Sequence, residues 1–297
     1  MAAQTIGPPS RITVIGLGNM GLPMSACLVR AGFDVIGFDI SPEARERFAV
    51  AGLKAAGDIA TAVGETAAVI TLLPNGGIVR AAIESLRLHL RPGTVLIDMS
   101  SSEPLGTRAL GEAMIAAGFP FIDAPVSGGV KRAVDGTLAI MTGGDGATID
   151  RVEPVLAAMG RQVFRTGPLG SGHAVKALNN YVSAAGLVAA VEALAASTRF
   201  GVDPLVFTDV LNASSGRNNT TEIKMKPFII PESYTSGFSL GLMAKDIRTA
   251  DDLGRALGLP MPLADVVARL WTAAEGEIGG AIDHTAIGTY IAGLDGK

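Results

Sequence analysis

The chain has 297 residues, 48% of them hydrophobic, with a formal net charge of -4 and one cysteine. That length carries two domains, or one large domain with an appendage, around an extensive core. Cys27 alone excludes an internal disulfide, a weakly acidic chain without a basic block argues against nucleic acid as a partner, and the scattered His89, His173 and His284, with no carboxylate cluster at ligand spacing, argue for no metal.

No uninterrupted apolar run reaches the length of a membrane span; the longest candidate, Tyr181 to Ala196, is short and holds Ser183 and Glu192. A soluble, cytoplasmic protein with no membrane partner is expected. Met1 to Ser10 has no basic segment followed by an apolar core, which predicts a frayed leader and no secretory signal.

Short apolar runs bounded by glycine then alternate with helical patterns. The predicted strands are Ile12 to Ile15, Val35 to Phe38, Val69 to Leu73, Val95 to Ile97, Phe121 to Val126, Leu138 to Met141 and Gln162 to Arg165. Between them fit helices such as Met20 to Arg30, Pro42 to Ala51, Ile78 to Leu90 and Pro104 to Ala117. Continuous rather than alternating apolar strands predict a parallel sheet covered by helices on both faces, an α/β doubly wound fold of Rossmann type. Gly167 to Gly172 punctuates the chain, and the rest reads as helix: Ala174 to Phe200, Pro204 to Asn212, Leu240 to Leu257, Pro262 to Ala274 and Thr285 to Ala292. Gly241 and Gly254 weaken the third of these. The predicted domains are therefore 1–168, binding a dinucleotide, and 169–297, all helical, joined by a long interdomain helix.

Gly16-Leu17-Gly18-Asn19-Met20-Gly21 puts a G-x-G-x-x-G pattern directly after a strand and before a helix. Gly16 permits a tight turn, Gly18 lets a pyrophosphate approach the backbone, and Gly21 lets the helix pack closely. Asp39 ends the next strand, where its carboxylate can take both hydroxyls of an adenosine ribose and would repel a 2′-phosphate. NAD is therefore preferred to NADP as cofactor, although Arg45 or Arg47 could partly compensate for a 2′-phosphate. A tight turn with an incidental surface aspartate is the plainer alternative, and a methyltransferase could use a similar crevice.

Lys176 is the one lysine or arginine of Gly170 to Asn180, in a helix apolar around most of its circumference, with Glu192 its next charge. Burial lowers a lysine's pKa toward neutrality, and Asn180 leaves the same face one turn later. The pair suggests proton exchange; alone, such a lysine more often snorkels to water. Ser127-Gly128-Gly129 follows a strand at the carboxyl edge of the sheet and exposes successive N–H groups that suit a carboxylate, or it is a plain glycine turn. Leu73-Pro74-Asn75 ends a strand but is also ordinary turn chemistry. Ser100, Ser101 and Ser102 read equally well as caps for the helix near Pro104, and Lys245-Asp246 as a solvated face.

With these motifs together, the chain resembles the β-hydroxyacid dehydrogenases, the 3-hydroxyisobutyrate dehydrogenase-like enzymes, from Ile12 to about Ile291. The motifs occur in family order: Gly16 to Met24, Asp123 to Gly129 continuing to Leu138, Gly170 to Asn180, and Lys245-Asp246. The resemblance implies hydride transfer between a nicotinamide cofactor and a small 3-hydroxy acid or its semialdehyde. It implies Lys176 as the catalytic residue and Asn180 and Ser127-Gly128-Gly129 as substrate contacts. It further implies that Lys245 closes over the cofactor and that Leu73, Pro74, Asn75 and Ser101 line the nicotinamide side. Arg217 stands where family members differ according to substrate; it suits a second anionic group, or is a surface or interface arginine. A non-catalytic NAD(P)-binding scaffold and an imine reductase are the rival readings. The oily helix beginning near Ala174 predicts a homodimer, or a homotetramer built from it.

Overall fold

The computed structural model describes residues 4–294, which form two compact units dividing after Lys176. In the first, β1 (Arg11–Ile15), α1 (Gly21–Arg30), β2 (Asp34–Phe38), α2 (Pro42–Val50), β3 (Lys54–Ala55), α3 (Ile59–Val63), β4 (Ala68–Thr71), α4 (Gly76–Leu86), β5 (Val95–Asp98), α5 (Pro104–Ala116) and β6 (Phe121–Asp123) follow in turn. These six strands pair in parallel in the order β3-β2-β1-β4-β5-β6. The strand order reverses between β1 and β4, and the crevice outside that point is where open α/β sheets bind ligands.

Alternation along each strand builds two apolar layers. Ile12, Val14, Ile70 and Ile97 point to the side of α1, α2 and the later helix around Val152. Val69 and Leu96 point to the other, against Ile83 of α4 and Leu110 of α5. Strands buried on both faces need apolar residues at every position, which is why β4 and β5 read as continuous runs. Each such side chain removed from water contributes about 1.5–3 kcal/mol.

The sheet is not parallel throughout, contrary to the reading of the sequence. The expected strand Phe121 to Val126 breaks at Ala124-Pro125, because proline has no N–H with which to continue a ladder. The chain continues as β7 (Val126–Ser127), α6 (Gly129–Asp135), β8 (Leu138–Gly144), α7 (Gly146–Ala157) and β9 (Gly160–Gly167). β8 runs antiparallel to β6 and β7, and β9 parallel to β8. The short α6 reverses the chain where a full crossover would have kept its direction. Of the leader expected over 1–10, residues 1–3 lie outside the described residues. Ile6, by contrast, is buried and donates its N–H to Arg151 O at 2.7 Å, so the frayed segment does not extend that far.

The second unit is helical: α8 (Ser171–Arg199, which begins in the first unit), α9 (Pro204–Ala213), α10 (Asn219–Ile223), a π-helical turn (Met225–Ile229), α11 (Leu240–Ala256), α12 (Pro262–Ile278), a 3-10 turn (His284–Ala286) and α13 (Ile287–Ala292). Leu187, Val191, Met225, Leu240, Ile247, Trp271 and Ile287 share its core. α11 stays continuous despite Gly241 and Gly254, whose missing side chains let neighbours close in. A Cβ on Gly241 would lie 3.0 Å from Glu275 Oε1, and one on Gly254 2.5 Å from Met261 Sδ.

α8 is apolar along most of its length but covered on one side only. Its 29 residues include a stretch long and apolar enough, by length and composition, to cross a membrane, and only 28% of that stretch is buried within the chain. It is thus not buried all round: Ala184, Leu187 and Val191 face the core of the second unit, while Val175, Val182 and Ala189 form an exposed stripe.

Candidate active site

The turn after β1 has the geometry that its glycines require. Gly16 sits at φ +99°, and a Cβ there, or on Gly21, would collide with backbone: with Leu72 O in the first case and Gly16 O in the second. Gly18 has nothing within 4 Å of where a Cβ would be, and it is exposed. This is a backbone open to a phosphate on one side and tightly packed on the other, so the residues fit a dinucleotide. Asp39 lies at the end of β2, where one carboxylate oxygen accepts from Leu17 N–H at 2.8 Å and the other from Ser41 N–H at 2.9 Å. Arg45 donates to Asp39 O at 2.8 Å and lies 5.8 Å from the Phe38 ring.

Leu73, Pro74 and Asn75 connect β4 to α4 at the same edge. Asn75 Oδ1 accepts from Ile78 N–H at 3.0 Å, so part of that side chain is spent as a helix cap. The serines after β5 are not caps for α5, whose start at Glu103 has no side-chain cap. Ser100 Oγ instead accepts from Leu73 N–H at 2.9 Å, and Ser102 Oγ donates to Asp98 Oδ2 at 2.8 Å. Ser101 between them is half-buried.

Ser127 ends β7, and the two residues that follow are exposed with positive φ, Gly128 at +133° and Gly129 at +68°. A side chain on Gly128 would meet Arg132. Half-buried Lys176 reaches this loop: its Nζ donates to Val126 O at 2.9 Å. The amine expected to exchange a proton and the loop expected to hold a carboxylate therefore lie together, on a sheet edge and the first turns of α8.

A buried polar cluster joins residues that the sequence offered only separately, as motif members or candidate caps. Asp98 accepts from Thr71 Oγ1, Ser100 N–H and Ser102 Oγ. Asp123 accepts from Gly170 N–H at 2.7 Å and His173 N–H at 2.8 Å. The His173 ring lies 2.9 Å from Thr107 Oγ1 and 3.2 Å from Ser100 O. Burial pushes the Asp123 carboxyl above the ordinary aspartate value, against the opposite pull of His173 and of the two N–H groups. His173 was visible as the residue three before Lys176, on the same helical face.

In the second unit Asn180 is buried and donates to Asp246 Oδ2 at 2.6 Å, while Lys245 Nζ lies 3.1 Å from Asp246 Oδ1. Asp246 is 2% exposed, so Lys245-Asp246 is no solvated face. Arg217 differs: it lies on an exposed turn with its Nε 2.7 Å from Glu222 Oε1, directed into a surface ion pair.

Comparison with known proteins agrees with this architecture. Residues 11–167 match the family described as the NAD binding domain of 6-phosphogluconate dehydrogenase. Residues 170–291 match the NAD-binding domain of NADP-dependent 3-hydroxyisobutyrate dehydrogenase. The chain is 32% identical to 2-(hydroxymethyl)glutarate dehydrogenase of Eubacterium barkeri, covering 88% of each chain. It is 33% identical to an NAD-dependent L-serine dehydrogenase of Pseudomonas aeruginosa, covering 88% of this chain and 91% of the relative. The structure of Mycobacterium tuberculosis 3-hydroxyisobutyrate dehydrogenase with L-serine superposes with a TM-score of 0.89 at 34% identity, over 95% of this chain and 99% of the other. Fold, glycine loops and relatives converge: the chain belongs to the β-hydroxyacid dehydrogenase family and is an NAD(P)-dependent oxidoreductase of hydroxy acids.

Proposed function

We propose that the protein interconverts a small 3-hydroxy acid and its semialdehyde, using NAD in preference to NADP, with Lys176 exchanging the hydroxyl proton. The observation that carries this reading is the Lys176 amine on the Val126 carbonyl, beside Ser127-Gly128-Gly129. Bound nicotinamide supplies the acceptor or donor of hydride. Lys176 is the base in oxidation and the acid in reduction. Ser127 and the N–H groups of Gly128 and Gly129 hold the carboxylate, fixing the distance from carboxylate to hydroxyl that a 3-hydroxy acid has. Asn180, one turn beyond Lys176 and held by Asp246, orients the oxygen or the amine. Leu73, Pro74, Asn75 and Ser101 line the nicotinamide side, and Lys245 closes over the cofactor.

The relatives' names support the substrate class, since L-serine, 3-hydroxyisobutyrate and 2-(hydroxymethyl)glutarate all carry a hydroxyl β to a carboxylate. Preference for NAD follows from Asp39, whose carboxylate keeps lone pairs for ribose hydroxyls after accepting two N–H bonds. Arg45, engaged by Asp39 O and the Phe38 ring, is not poised to neutralise a 2′-phosphate.

A panel of 3-hydroxy acids, L-serine and 3-hydroxyisobutyrate among them, assayed with each cofactor at the reduced-nicotinamide absorbance band tests this. The expected result is turnover of at least one acid, with kcat/KM for NAD exceeding that for NADP by about tenfold or more, the equivalent of one unfavourable charge contact near 1.4 kcal/mol. Preference for NADP, or silence across the panel, contradicts it.

A further inference from the structure

We propose that Asp123 and His173 are positioning residues: they set the rotation and depth of the first turns of α8, and so where the Lys176 amine stands over the Ser127-Gly128-Gly129 loop. This rests on the reading of Lys176 as the proton-exchanging group.

A helix start leaves four N–H groups without intrahelical partners, usually met by a side chain just before the helix. Here the preceding residue is Gly170, which has none. The acceptor comes instead from the end of β6: the fully buried Asp123 takes Gly170 N–H on one oxygen and His173 N–H on the other. Room for this is cut by two glycines. A Cβ on Gly143 would stand 2.5 Å from Asp123 Oδ1, and one on Gly172 2.8 Å from Asp123 Oδ2.

His173 supplies the second constraint. Ser100 O can only accept, so Nε2 carries a hydrogen toward it while Nδ1 lies against the Thr107 hydroxyl, and the carboxylates of Asp98 and Asp123 stand 3.8 and 3.7 Å from the two ring nitrogens. Ser100 in turn accepts Leu73 N–H, so the ring ties α8 to the loops after both β4 and β5. His173 and Lys176 lie three residues apart on one helical face. Any rotation of that turn about the helix axis therefore carries the amine away from Val126.

The test compares His173→Leu, Asp123→Asn, His173→Gln and Thr107→Val in the full-length enzyme, on a hydroxy acid that the wild type turns over. The readouts are kcat, KM, NAD affinity, thermal midpoint and the primary isotope effect with substrate deuterated at the hydroxyl-bearing carbon. His173→Leu and Asp123→Asn are expected to lose on the order of 10²-fold in kcat, the cost of a misplacement near 1 Å. KM and NAD affinity stay close to wild type, and the isotope effect rises. His173→Gln restores most of kcat, because an amide can donate to Ser100 O and accept from Thr107. Thr107→Val keeps the shape, deletes one hydroxyl, and shows a smaller loss of the same pattern; it decides the matter if the other variants fail to fold. Wild-type kcat in folded His173→Leu and Asp123→Asn overturns the inference. So does a loss that follows NAD affinity or thermal midpoint, with His173→Gln no better than His173→Leu. A normal Asp123→Asn beside a dead Lys176→Ala sinks this inference alone, whereas an active Lys176→Ala sinks the reading beneath it.

Discussion

Lys176 and Lys224 are both drawn out of bulk water, and they answer to different neighbours. Lys176 is half-buried and donates to a backbone carbonyl at the edge of the sheet. Lys224, at the end of α10, is 9% exposed; burial lowers its pKa to about 8, with Asp283 opposing that shift. The folded chain thus releases the Lys224 proton more readily than the unfolded chain does. Between about pH 8 and the ordinary 10.5 the unfolded state binds more protons, so stability rises with pH across that window, and the penalty is fully present below it. It amounts to roughly 3 kcal/mol at most. Lys224→Met is predicted to raise the urea midpoint at pH 7 and to abolish the rise between pH 8 and 10.5. An unchanged pH slope contradicts this.

At the scale of elements, the site is assembled by close approach rather than by large side chains. Gly21 brings α1 onto the turn that leaves β1, and any Cβ there meets the rigid backbone oxygen of Gly16. Gly21→Ala should therefore cost about 1–3 kcal/mol, as overpacking does, and raise KM for NAD. Thermal unfolding and cofactor titration measure both effects, and a variant with unchanged midpoint and KM contradicts the packing argument. The long strands, the first four long helices and the glycine turns were legible because buried strands need uninterrupted apolar runs and tight turns need glycine, whereas the two-residue β3, which is not buried, carried no such signal. Asn219–Ile223 and the π-helical turn were not: a polar Asn-Thr-Thr start has almost no apolar period, and its Asn218 capping box shows only once the backbone is seen. The antiparallel β8 was hidden because a strand's sequence does not carry its direction. Of the site, Lys176 and Ser127-Gly128-Gly129 could be read from residue type and spacing. The tie between Asp123 and α8, 47 residues apart, depends on folding alone.

At the scale of the whole molecule, the uncovered apolar surface is the telling feature. Val182 is 67% exposed on α8, and Val206 and Val210 are 55% and 56% exposed on α9. Uncovered apolar side chains on α8, whose other side packs into the core, and on α9 suit a second copy of the chain, and the proposed assembly is a homodimer or a tetramer of such dimers. Light scattering at micromolar concentration is predicted to give at least a dimeric mass, and Val182→Glu with Val206→Glu to reduce it to the monomer. A wild-type monomer contradicts the assembly but leaves the chemistry of the first unit standing.

Whether the Lys176 amine exchanges the hydroxyl proton is decided by the turnover of Lys176→Ala, with NAD affinity measured beside it. The expected result is a fall in kcat of roughly 10²–10⁴-fold, the usual contribution of general acid–base catalysis, with NAD bound as tightly as by the wild type. Near-wild-type turnover in that variant would contradict it.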